Sequence, residues 1–521
     1  MFRKPARRKV TAGAQTAGTA SVPAPVDGWN ARDPLALMKS SEAIILDNWI
    51  PRTATVETRS GAADHLTGLT GQVRTLLGYH SVTSNKLFAA TDLGIFDSTS
   101  PGAAGAAVLA ISSGRLSQVN FNTAAGSFLV AVNGVDKLML YNGTAWNFID
   151  DTSSPVSITG VPTQQLTFVT AFKRRLWFVK KESLSAYYLP VGSLGGALVE
   201  FPLGQTFLGG GRLIAMQNWT IDGGNGPEDY FCFVSSQGEV AVYSGSNPDD
   251  AANFSLVGVF YVAPPLGDRC FLRYGSDILM LTENGAFPLS GVLSAPSADR
   301  SKAISDRISQ AFANATSMYK NNLGWQAVIH PTENLLVVNI PTLSETTSVQ
   351  YVMNTMTKRW CRFTGWDAAC WIFFQGSLYF GTSGKVVQAL TGTSDFGENI
   401  LFRSATAFDY LKSRGKLKHF RLVRPTLRAS DRIAVNIGLT VDFREDETLS
   451  ALTDLPTSWA KWDSGVWDLG IWGPESATEG NWRTVAAAPG YAVSFRMQVS
   501  SRTATLAWSA TDYVFEVGGV L

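Results

Sequence analysis

The side chains best placed to do chemistry in this sequence are cations in two clusters. Lys412, Arg414, Lys416, Lys418, Arg421, Arg424, Arg428 and Arg432 crowd one stretch in which Asp431 is the only acid. Arg3, Lys4, Arg7, Arg8 and Lys9 open the chain, and no acid occurs from Met1 to Ala24. Such rows can neutralise phosphates without reading bases. They can equally face solvent or pair with acids of a neighbouring subunit. The formal net charge of the 521 residues is only +1, so no global field draws the chain to nucleic acid or an anionic membrane. Any contact with double-stranded DNA is expected to be local, non-specific and transient.

Other chemistries find little support. His65, His80, His330 and His419 stand without a second ligand at metal or catalytic spacing. Cys232, Cys270, Cys361 and Cys370 form no C-x-x-C pair, although Cys361 and Cys370 could meet across the turn around Trp366. Cys232 sits in the apolar run Tyr230–Val234 and reads as a buried thiol. Neither a G-x-S-x-G elbow nor a phosphate loop occurs, and Gly209-Gly210-Gly211-Arg212 lacks the Lys-Ser/Thr that would hold a nucleotide. Residues 90–96 form one degenerate Asp-box, without its first Ser and last Trp. Asp222–Asp229 is acidic and Gly-rich but fails the ligand order of a calcium loop. The sequence predicts no enzyme, no cofactor and no metal.

The elements that must position these residues are strands. Forty-eight Gly and 22 Pro break short apolar runs into many turns. One amphipathic helix is expected at residues 303–312, where Ile304, Ile308 and Phe312 share a face. A unit made of an apolar strand, a Gly or Asn turn and a second strand recurs seven times, beginning near residues 87, 128, 176, 231, 278, 335 and 378. That spacing fits four-stranded propeller blades with loop insertions. The expectation is an all-β protein with a β-propeller of six or seven irregular blades over 62–398, an additional C-terminal β-domain and very few helices. A sandwich or stacked meanders is the competing architecture.

Beyond residue 398 the pattern changes to the basic stretch, further strands, and Trp462, Trp467 and Trp472 at intervals of five. That interval follows neither a helix nor a strand face and reads as loop aromatics clamped on a sheet. Residues 399–521 are read as a separate β-domain, 27–61 as a strand segment packing on it, and 1–26 as a basic, flexible arm. The arm lacks the apolar core of a signal peptide, and no run of 18 apolar residues occurs, so no membrane span is expected.

Four stretches together resemble the tail nozzle proteins of short-tailed bacteriophages, also called tail tubular protein B or packaged-DNA stabilisation protein. They are Gly28–Ala62 with its Asn30-x-Arg32-Asp33-Pro34 opening and Leu46-Asp47-Asn48-Trp49-x-Pro51 centre, Gly226–Asp249 continuing to Leu256–Asp268, Thr282–Val292 leading to Ile304-Ser305, and the Trp462/Trp467/Trp472 series with Trp508–Leu521. The resemblance implies a structural virion protein, assembled in the host cytoplasm into a homo-oligomeric, hexameric ring of the tail. It implies a channel that retains packaged DNA and lets it out, and partners among adaptor or portal-proximal proteins and tail fibre or tip proteins. The alternative is a receptor- or glycan-binding propeller, hydrolytic or not, at the tail tip.

Overall fold

In the computed structural model the described residues are 17–222, 227–293, 302–431, 433–444, 450–452, 477–479, 481–485 and 489–518. They fall into two compact units, one drawn from residues 29–32 and 59–400, the other from 17–28, 33–58 and 401–518.

The larger unit is a seven-bladed β-propeller. From the axis outward, blade I is Thr75–His80, Asn85–Thr91 and Gly94–Asp97, and blade II runs from Ser117–Thr123 to Trp146–Ile149. Blade III runs from Leu166–Phe172 to Val199–Pro202, and blade IV from Leu213–Asp222 to Phe254–Tyr261. Blade V is Phe271–Tyr274, Asp277–Thr282 and Gly285–Pro288, and blade VI runs from Gln326–His330 to Arg359–Phe363. In blade VII, Cys370–Phe374 and Ser377–Ala389 come from the end of the unit, and the next strand, Ala62–Gln72, from its beginning. This antiparallel exchange closes the ring.

Each of the seven sequence units contains the second strand of one blade. These strands carry apolar side chains on both faces because each blade packs on two neighbours. Phe231 and Phe233 pack with Trp177 and Val179 of blade III, whereas Cys232 and Val234 pack with Met280 and Phe287 of blade V. Burial pushes the Cys232 thiol well above its ordinary pKa. All four cysteines are buried free thiols, so Cys361 and Cys370 do not form the disulfide their spacing allowed.

The helix starts later than its periodicity predicts, as a 3-10 turn at Asp306–Ile308 leading into Ser309–Tyr319. Residues 304 and 305 are held by strand Gly285–Pro288 instead. The Ile304 N–H donates to the Ala286 carbonyl, and the Ser305 hydroxyl accepts from the Ala286 N–H.

In the second unit, Lys418–Ala429 pairs antiparallel with Leu506–Val517, which also pairs with Val56–Thr58 and Ala17–Pro23. A further sheet joins Glu42–Asp47, Ile400–Thr406, Val493–Ser501 and Val435–Val441. Trp49 and Trp508 of the first sheet meet Phe402 and Phe495 of the second in an aromatic centre between them. Residues 17–23, expected within the flexible arm, are therefore a strand. Their short, uncharged side chains complete a ladder that the last strand of the chain would otherwise leave open. Trp462, Trp467 and Trp472 lie outside the described residues.

Candidate functional site

The inner strands of all seven blades surround an axial cavity of about 230 Å³, lined by polar groups that include Thr75, Ser117, Thr170, Gln217, Arg269 and Gln326. An inner strand has no neighbour on its axial edge, so its free N–H and C=O groups must find partners elsewhere. Side-chain amides supply them. Gln118 donates to the Leu76 carbonyl at 2.9 Å and accepts from the Gly78 N–H at 3.1 Å. Asn120 repeats the arrangement on Gly78 O and His80 N–H, and Gln326 does so on both backbone groups of Trp371 at 2.8 and 3.0 Å.

A charged network forms where the inner strands begin. Arg74, just ahead of blade I, pairs with Glu345 and with Asp92, the latter at 2.8 Å. Arg115, ahead of blade II, pairs with Glu345 at 3.3 Å and with Asp268, ahead of blade V. Arg269 donates to the Arg74 carbonyl at 3.0 Å and the Thr75 hydroxyl at 2.6 Å. Glu345 reaches these groups from the turn between two strands of blade VI, with its own φ at 53°. Three guanidinium groups thus meet three carboxylates. Burial alone would raise the Asp268 pKa, but Arg115 and Arg269 outweigh it and hold the carboxyl below its ordinary value. Burial likewise opposes the charge on Arg115, and Asp268 and Glu345 outweigh it, raising that pKa. The network ties blades I, II, V and VI across the axis. Its carboxylates are engaged by arginines, so it offers neither a free general base nor a pair poised across a substrate.

A second buried pair fixes the closure of the ring. Arg59, with no side-chain exposure, makes two hydrogen bonds to Asp395 at 3.0 and 2.6 Å and one to the Thr364 carbonyl at 3.1 Å. Its guanidinium lies 4.1 Å from the Trp366 ring centroid, and the Trp366 indole N–H donates to Asp395 at 2.9 Å. Burial lowers the Arg59 pKa despite Asp395. Two residues on, a Cβ on Gly61 would sit 1.9 Å from the Ser394 carbonyl oxygen. Only glycine allows that approach.

The cations singled out in the sequence divide by environment. Lys418 is buried and donates to the carbonyls of Ser413, Lys416 and Tyr491 at 2.6, 3.1 and 2.8 Å, with burial lowering its pKa. It is thus a structural lysine rather than an interface cation, tying the turn at 413–416 to Tyr491. Arg421 pairs with Glu516 at 2.9 Å, and Arg424 holds Asp512 at 2.9 and 2.6 Å beneath the Trp482 ring, all within one chain. Lys412, Arg414, Lys416 and Arg428 are exposed, with no carboxylate partner among the described residues. Lys412 and Arg414 line a depression of about 510 Å³ with Met38, Phe408, Asp409 and Tyr410. Arg432, Arg3, Lys4, Arg7, Arg8 and Lys9 lie outside the described residues.

The remaining motifs have structural roles. Asp92 of the degenerate Asp-box accepts from the Gly114 N–H at 2.9 Å as well as pairing with Arg74. The N–H groups of Leu208 and Gly209 donate to the Glu239 carboxylate. His65 bonds the Ser98 carbonyl at 2.8 Å, and His330 accepts from the Glu333 N–H, its pKa lowered by burial. Among the described residues no cluster of His, Cys, Asp or Glu has the makings of a metal site, and no helix is long and apolar enough to cross a membrane. The axial network itself was invisible in the sequence, because Arg74, Arg115, Asp268 and Glu345 share no local motif.

No family model and no curated protein matches the chain. Among solved structures it is similar to BBS1N, crystallised in complex with ARL6DN and soaked with mercury, at 12% identity and a TM-score of 0.37 over 65% of this chain and 100% of that one. It is also similar to YCF48 from Cyanidioschyzon merolae, at 9% identity and a TM-score of 0.33 over 65% and 98%, and to YCF48 bound to D1 peptide, at 10% and 0.33 over 68% and 100%. With TM-scores this low the likenesses carry no functional argument.

Proposed function

We propose that the chain is a non-enzymatic structural subunit of a short-tailed phage tail nozzle, one copy of a ring that joins the adaptor to the distal tail and retains packaged DNA. The observation that carries this reading is the placement of the stretch most like that family. Residues 33–58 belong to the second unit, and the Arg59–Ala62 that follow close the propeller. The resembling residues are therefore those that set the architecture, as expected of a shared scaffold rather than a shared active site.

The axial cavity, at about 230 Å³ and crossed by arginine–carboxylate pairs, has no room for a duplex. In this reading DNA passes through the centre of a ring of subunits, not through a propeller. Within the basic stretch, Lys412, Arg414, Lys416 and Arg428, which have no carboxylate partner among the described residues, are the candidates to meet phosphates or a neighbouring subunit there. The test is electron microscopy of virions labelled for this chain. Density on the tail axis with ring symmetry is expected. Virions without the chain, or label only at the tail tip, would overturn the proposal, and loss of host polysaccharide on incubation with the purified chain would favour the tip reading.

A further inference from the structure

Propeller blades present outer edges, and the described residues show how most of these are guarded. The outer strands of blades I, II, III and V are four residues long. That of blade I is also bonded by residues 108 and 109, and that of blade III carries Glu200 and ends at Pro202. In blade V, Ala286 is bonded by Ile304, and in blade VI the outer strand contains Arg359 and Arg362. In blade VII, Ala62–Gln72 is flanked by Gly102–Ala103.

Blade IV differs. Its outer strand Phe254–Tyr261 has eight residues, ends its sheet, and exposes Leu256 at 45%, Val257 at 51% and Tyr261 at 51%. No charged residue occurs from Ala251 to Gly267. Pairing with the adjacent strand skips Val257, a bulge, and among the described residues no strand pairs with the outer edge, although the short helix Leu289–Leu293 lies near it. Soluble proteins blunt such edges with charge, proline or a cover, because an open apolar edge is a template for another strand.

The start of this edge is acidic. Asp249 and Asp250 precede it, and Glu228 and Asp229 share a groove of about 570 Å³ with Ser255 and Val257. Lys173 pairs with Asp229 and Arg175 with Asp249. Four carboxylates therefore meet two cations. The complementary guest is an extended segment that is basic at one end and uncharged along the rest.

We propose that the guest is the N-terminal arm of a second copy of this chain. Arg3, Lys4, Arg7, Arg8 and Lys9 are followed by an uncharged run, Val10–Thr16, before the described structure begins at Ala17. Sixteen extended residues reach at most about 58 Å. The uncharged run covers about 23 Å against about 27 Å for the edge. With the cations over the acidic start, the added strand runs parallel to Phe254–Tyr261. This inference rests on the ring reading only in requiring a second copy.

The test places a photo-crosslinking amino acid at Val257 of the full-length chain and mixes it with an isotopically heavy copy. Mass spectrometry is expected to find cross-links from residue 257 of one copy to residues 10–16 of the other. Leu256→Lys should lower the yield at least fivefold, whereas Met318→Lys, at an exposed site elsewhere, should leave it unchanged. Raising salt from 50 to 500 mM should lower it severalfold, since exposed charge pairs are screened. A monomer, cross-links confined to one copy, or an oligomer whose cross-links avoid the arm would each overturn the proposal. The position of the chain in virions is scored separately, so a tail ring lacking this cross-link would refute the arm alone.

Discussion

At the scale of the residue, the strongest constraints are buried charges whose partners lie far away in sequence. Removing one member of a buried ion pair leaves the other unpaired and costs about 3–5 kcal/mol. Arg59→Ala should therefore lower propeller stability by about that much in denaturant titration, and Gly61→Ala should be destabilising because its Cβ meets the Ser394 carbonyl. Asp268 adds a pH dependence. Its folded pKa lies below the ordinary carboxylate value, so its stabilisation is complete above the unfolded pKa of about 3.9 and is lost as pH falls toward the folded pKa. Asp268→Asn should lower stability at pH 7 and flatten the acid limb below about pH 4, read as thermal midpoint against pH. A parallel acid limb in both proteins would contradict this role. None of these pairs was legible in the sequence. Arg59 and Asp395 are joined only by ring closure, and Arg74, Arg115, Asp268 and Glu345 only by the seven-fold return of the chain to its axis.

At the scale of the element, the sequence was far more informative. A propeller blade packs on both faces, so its second strand is a continuous apolar run, and the seven such runs, which left six or seven blades open, are the second strands of seven blades. First and outer strands carry weaker patterns because one edge or face meets polar surroundings. The helix was found from its period but misplaced at its start, since residues 304 and 305 bond a neighbouring strand. The basic stretch was legible as a cluster but not as an environment. Lys418 turned out buried, and Arg421 and Arg424 meet acids on a strand some ninety residues later. The inter-blade amides make a prediction at this scale. Gln326→Ala leaves both backbone groups of Trp371 without their side-chain partner, and each buried group left unsatisfied costs about 1–3 kcal/mol. Hydrogen exchange at the Trp371 amide should accelerate while that of Phe233, in the middle of blade IV, stays unchanged. Uniform acceleration across both would show that the amide holds no particular blade pair.

At the scale of the whole molecule, one unit is assembled from segments on both sides of the other, which is residues 59–400 with 29–32 added. A closed ring has no terminal blade to fray, provided that its first strand returns to its last. Here that return is made by Ala62–Gln72 on Ser377–Ala389, locked by Arg59 on Asp395. Excision should therefore succeed or fail according to where it is cut. A fragment of residues 59–400 keeps both the closing strand and its lock, and is expected to be a folded monomer with a cooperative unfolding transition. A fragment of 73–400 loses both. It leaves Ser377–Ala389 as an open thirteen-residue strand and strips Leu66 and Leu69 from the core that joins blades VII and I. Burying a leucine side chain contributes about 1.5–3 kcal/mol, so the two leucines alone account for several kcal/mol. The open edge adds a route to aggregation. The shorter fragment should bind a hydrophobic dye, unfold without cooperativity or precipitate, and recover when a peptide of residues 59–72 is supplied in trans. Equal stability of the two fragments would mean that the blades hold their ring without strand exchange.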